Sequence, residues 1–110
     1  MEVQQKGHTT IIKDTKGTLD HFIRQLTDEY KMFENVNIIA DISIHKNLTK
    51  KEINAFLPLA KAHKKAKKSF VIVVENFDFN SAGDKLVVVP SILEAHDIIE
   101  MDEIERDLGF

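Results

Sequence analysis

The sequence predicts an α/β fold, a single-domain mixed sheet in the order β-β-α-β-α-β-β-α. Three observations carry that expectation. The runs from Val36 to Ile42 and Phe70-Val71-Ile72-Val73-Val74 are short, nearly continuous in apolar residues and rich in β-branched ones, which marks strands covered on both faces of a parallel sheet. Segments with apolar residues at helical spacing alternate with these runs, as crossover helices between parallel strands do. Two capping signatures, Thr49 with Glu52 and Ser91 with Glu94, mark helix starts.

In chain order, Val3 to Lys6 and Thr9 to Lys13 read as a hairpin around Lys6-Gly7. Lys16-Gly17 ends it. Thr18 then N-caps a helix whose apolar positions Leu19, Phe22, Ile23, Leu26 and Tyr30 share one face. Asn35 to Ser43 is the central strand. Ile53, Phe56, Leu57 and Ala60 carry the second helix, which Pro58 is expected to kink, and lysines at its C-terminal end suit the helix dipole. After the strand at Phe70, the segment Asn76 to Asp84 reads as a loop, and Lys85 to Val89 as a last strand ended by Pro90. An acidic C-terminal helix over 91–108 buries Ile92, Ala95, Ile98 and Ile99, and Met101, Ile104 and Leu108 continue a weaker apolar row.

A chain of 110 residues has room for one domain, here 1–110, and 43% apolar with 30% charged residues supports a packed interior under a solvated surface. With no cysteine, disulfides, thiolate nucleophiles, iron–sulfur ligation and cysteine-based zinc sites drop out together. The N-terminus lacks the basic-then-apolar order of a secretory signal, and no apolar run approaches the roughly 20 residues that span a bilayer. The expectation is a cytoplasmic protein with no membrane partner. Net charge is −3, but unevenly spread. Eight lysines (Lys46, Lys50, Lys51, Lys61, Lys64, Lys65, Lys67, Lys68) face one acid, Glu52, between positions 46 and 68. Seven acids (Glu94, Asp97, Glu100, Asp102, Glu103, Glu105, Asp107) face Arg106 alone between positions 94 and 107.

Gly17-Thr18-Leu19-Asp20 at the first helix start, Ala40-Asp41-Ile42-Ser43 at the end of the central strand and Pro90-Ser91-Ile92-Leu93-Glu94-Ala95 at the last helix follow one another as in the STAS domain, which this chain resembles. That domain is shared by anti-sigma factor antagonists and the cytoplasmic tails of sulphate transporters. The resemblance implies a regulatory module that binds another protein. The family's phosphorylated loop carries Asp-Ser-Ser-Gly, whereas this chain reads Asn47-Leu48-Thr49-Lys50-Lys51, so Thr49 is expected to cap a helix and the loop to act as a contact surface. The whole chain, including its ending Glu103-Ile104-Glu105-Arg106-Asp107-Leu108-Gly109-Phe110, also resembles short bacterial proteins labelled ribonuclease Z. The metal motif of that nuclease, His-x-His-x-Asp-His, is absent here, so the likeness implies an accessory place in tRNA processing.

The five histidines, His8, His21, His45, His63 and His96, never fall at metal-ligand spacing, and His96 with Glu100 reads as a solvated pair one turn apart. The four glycines are isolated, with no phosphate loop. Catalytic residues, cofactors and metals are therefore all expected to be none. Asp41, Ser43 and His45 alternate as if on one strand face, too far apart for a nucleophilic triad, and read either as a polar rim at the strand's C-terminal end or as an ordinary strand exit. With Asn47 and Thr49 they form a candidate protein-binding region. Ile104, Leu108 and Phe110 form another: either a docking row flanked by acids or a tail folded back onto the core. Lys61, Lys64, Lys65, Lys67 and Lys68 are candidates for contacting RNA phosphates, with no interleaved aromatics for base stacking. Oligomeric state is not legible in this chain.

Overall fold

A computed structural model describes residues 1–78 and 85–109. Five strands, β1 (Glu2–Lys6), β2 (Thr9–Lys13), β3 (Asn37–Asp41), β4 (Phe70–Val73) and β5 (Val87–Val89), form one sheet in the order β1-β2-β3-β4-β5. Only β1 runs antiparallel to its neighbour, and β2 to β5 are parallel. Among the described residues four helices connect and follow them: α1 (Leu19–Asp28), α2 (Lys50–Asn54), α3 (Leu57–Lys65) and α4 (Ile92–Asp107), with a 3₁₀ turn at Tyr30–Met32. The mixed α/β sheet read from the sequence is the observed architecture.

Strand alternation divides the core into two layers. Ile38, Ala40, Phe70, Ile72 and Val88 pack against Leu19, Phe22 and Leu26 of α1, Ile53 of α2 and Leu59 of α3. Ile39, Val71, Val73 and Val89 face the other way, onto Ala95 and Ile99 of α4. Three helices thus share one face and α4 covers the other. Side chains two apart on a strand lie on the same side, which is why β3 and β4 read as unbroken apolar runs.

Several boundaries differ from the expectation: α1 ends at Asp28, with Tyr30 in the 3₁₀ turn beyond it, and β4 ends at Val73, one residue early. Pro58 begins a helix instead of kinking one: it sits in the first turn of α3, where a missing N–H costs nothing, and α2 stops at Asn54. The central strand is Asn37–Asp41 rather than 35–43, because the Asp41 carboxylate accepts from the Ser43 amide and turns the chain. The last strand is shortened to Val87–Val89. Of the expected loop from Asn76 to Asp84, positions 79–84 lie outside the described residues, as does Phe110.

His63 is a core residue with no solvent exposure. Its Nε2 lies 2.6 Å from the Val36 carbonyl, which can only accept, so Nε2 carries the proton and Nδ1 accepts from the Tyr30 hydroxyl at 2.7 Å. Burial, followed by the fields of Lys68 and Arg106, holds the imidazole pKa below its ordinary 6.5 despite the Val36 bond. A depressed pKa means the unfolded chain binds the proton first. The stabilisation is thus complete above pH 6.5 and is lost as pH falls through the folded-state value.

α3 ends in a paired turn: the Lys68 amide bonds to the His63 carbonyl and the Lys67 amide to that of Lys64. Lys67 occupies the left-handed position at φ 62°, where glycine is the ordinary choice. Lys67→Gly should raise the unfolding free energy by about 0.5–1 kcal/mol in urea titration. Separately, the part of stability that His63 contributes should fall by at most about 1.4 kcal/mol per pH unit below pH 6.5, and His63→Gln should remove that part of the slope.

Candidate functional site

The C-terminal ends of β2 and β3 gather polar groups the sequence places far apart. Asp14, just beyond β2, donates its amide to the Asp41 carbonyl, and its carboxylate accepts from His45 Nε2 at 2.5 Å. The Asp14 side chain is 3% exposed and that of His45 15%. Ser43 and His45 therefore do not continue one strand face with Asp41, as alternation suggested. They lie in the turn after it, and the His45 ring reaches across to Asp14. Among the described residues no hydrogen bond joins the Ser43 hydroxyl to His45, so the pair fixes the loop without addressing a nucleophile. Asp14 was missed because its partner is 31 positions away, with no local pattern to mark it.

Beyond the turn, Ile44 is exposed and Asn47 takes a positive φ of 55°, which asparagine tolerates better than most side chains. Thr49 caps α2: its hydroxyl accepts from the Glu52 amide at 3.2 Å, and the Glu52 carboxylate accepts from the Thr49 amide at 2.9 Å. The bonds that the Glu52 carboxylate accepts from the Thr49 amide and, at 3.1 Å, from the Thr49 hydroxyl hold it below the usual carboxylate range. Loop 43–49 is thus pinned at one end by the imidazole–carboxylate pair and at the other by a capping box.

The opposite, N-terminal end of the parallel strands is cationic. Lys61, Lys64 and Lys68 line a cavity of about 440 Å³ together with Lys85 and Arg106, while Lys65 and Lys67 lie outside its lining. Beneath it runs a polar network that the sequence did not disclose. Arg106 Nη1 donates to Ser69 Oγ and Nη2 to Asn37 Oδ1, both at 3.3 Å, and Ser69 Oγ donates to Asp102 at 2.7 Å. Asn37 also accepts from the Ser69 amide. An asparagine opening an apolar strand was the available signal, since a buried polar side chain requires a partner.

This network ties the C-terminal half of α4 to the sheet through Asp102 and Arg106, yet the opposite side of the helix is bare. Leu93, Met101, Ile104 and Leu108 are 72%, 61%, 53% and 66% exposed. At 100° per residue they fall on one strip, opposite Ala95 and Ile99. Ile104 and Leu108 therefore do not fold back onto the core. His96, expected to pair in solvent with Glu100, instead has a buried Nε2 with no hydrogen-bond partner among the described residues.

No group of three or more His, Asp or Glu among the described residues is placed to hold a metal ion, and no described helix is long and apolar enough to cross a membrane. No family model matches the chain, and no curated protein matches it significantly.

If the Asp14–His45 pair pins the loop, Asp14→Ala should cost about 1–3 kcal/mol by leaving a mostly buried imidazole unpaired. The His45 amide, bonded to the Ile42 carbonyl at 3.0 Å, should then exchange with solvent faster. Unchanged exchange at that amide would show that the turn holds itself.

Proposed function

We propose that this chain is a non-catalytic, STAS-like interaction module whose main contact surface is the outward strip of α4. The supporting observation is that one helix is apolar on two opposite sides. The inner side is consumed by the sheet, and the outer side presents Leu93, Met101, Ile104 and Leu108 to solvent. Single exposed apolar residues are ordinary, whereas four on one helical strip, with Asp97 between Leu93 and Met101, form a recognition feature. Glu94, Asp97, Glu100 and Glu105 are exposed on the same helix. The occupant that fits is a protein groove with an apolar floor and a basic rim. The pinned loop from Ser43 to Thr49, with Ile44 exposed, is a second contact region on this reading.

The order of elements supports the STAS-like part: a hairpin, a helix capped by Thr18 directly after Gly17, a central strand ending at Asp41, and a last helix capped by Ser91 after Pro90. An accessory RNA contact through the lysines of α3 is the weaker reading, because three of the five candidates converge on a cavity instead of forming a track.

The test is a cross-linking pull-down in the native host with a photoreactive group at position 108, repeated with Ile104→Ser and Met101→Ser together. Both substitutions lie on solvent, so the melting transition should hardly move while the cross-linked partner is lost. The partner's linked peptide should be basic, and recovery should fall with salt. Capture of the same protein by the substituted chain would refute the proposal.

A further inference from the structure

The cavity at the N-terminal ends of β4 and β5 has the composition of an anion site. Among the described residues, five cations, Lys61, Lys64, Lys68, Lys85 and Arg106, line it against one carboxylate, Asp102. Among the described residues no carboxylate lies within ion-pairing distance of any of the four lysines. The C-termini of α3 and α4 favour the positive charge of Lys61, Lys64, Lys68 and Arg106, but Lys85, which precedes β5, gains nothing from either dipole. Gathering five like charges around the single carboxylate of Asp102 raises the energy of the empty protein, and an anion would relieve it.

Arg106 is also oriented before any ligand arrives. Its guanidinium is held by Asn37 and Ser69, which are 0% and 5% exposed. Two of its five N–H donors are used in this way. The positive field reaches into the core: after burial, Lys68 and Arg106 are among the influences that keep His63 neutral. Ala60, Phe70 and Val87 add apolar wall to the same cavity. Its volume, about 440 Å³, suits a small molecule.

We infer that this cavity binds a small phosphomonoester, its phosphate held among Lys64, Lys68 and Arg106 and its apolar body against Phe70 and Val87. A phosphomonoester carries nearly two negative charges at neutral pH and three acceptor oxygens, more than one carboxylate offers to several cations. An RNA backbone offers phosphodiesters instead, each with a single negative charge, and the experiment separates the two sources.

The probes are phenyl phosphate, inorganic phosphate and an eight-nucleotide oligouridylate, titrated calorimetrically into the full chain. Phenyl phosphate should bind about tenfold more tightly than inorganic phosphate, through burial of its ring. Lys64→Gln with Lys68→Gln should weaken it at least tenfold, whereas Lys65→Gln with Lys67→Gln, outside the cavity, should leave it unchanged, each variant melting as the wild type does. Three results would overturn the site: no binding of phenyl phosphate at millimolar concentration, equal weakening by both pairs of substitutions, or an oligouridylate that outcompetes phenyl phosphate phosphate for phosphate.

Discussion

Everything in this fold hangs on β3 being buried on both faces. All five of its residues are buried, the first and last of them polar. Asn37 can be buried at one end because Ser69 and Arg106 use its carbonyl oxygen, and Asp41 at the other because the Ser43 amide meets its carboxylate. The strand is therefore closed at each end by a specific polar bond, with an apolar centre of Ile38, Ile39 and Ala40 between two helical layers. A register slip of one residue would place Asn37 in the wrong layer and leave Arg106 without its acceptor.

The two ends of the sheet differ in chemical character. At the C-terminal end the carboxylates of Asp14 and Asp41 are each used by a neighbour in the chain's own turns, which gives a rigid rim. At the N-terminal end, among the described residues, the cations outnumber the acids and no carboxylate ion-pairs with the four lysines. Open α/β sheets commonly place their sites beyond the C-terminal ends of the strands. Here the excess positive charge lies at the other end, because the α3 C-terminus, the β5 start and the α4 C-terminus all converge there.

The layers were legible in the sequence and the junctions were not. β-Branched runs and helical spacing are local, so β3, β4 and the capped starts at Thr18, Thr49 and Ser91 could be read directly. Strand ends and helix breaks depend on single side-chain bonds: Asp41 stopped β3 early, and Pro58 opened a helix because the chain had already turned after Asn54. The site residues showed the same division. Lys61, Lys64 and Lys68 were visible as a cluster, but their separation from Lys65 and Lys67, and their union with Lys85 and Arg106, are facts of packing. His63 falls seven positions after Phe56 and four after Leu59, so its burial was recoverable from spacing.

β1 gives the sheet something other than core. All five of its residues are exposed, yet it pairs with the whole of β2, from Glu2 opposite Lys13 to Lys6 opposite Thr9. It occupies backbone groups that β2, with Thr9, Thr10 and Ile12 buried, would otherwise present as a sticky template. Its own outer edge is Glu-Val-Gln-Gln-Lys, short and charged at both ends, a poor surface for another strand to extend. The opening hairpin thus acts as a guard against aggregation, shielding one margin of a mostly parallel sheet whose long-range contacts form slowly and remain at risk while they do.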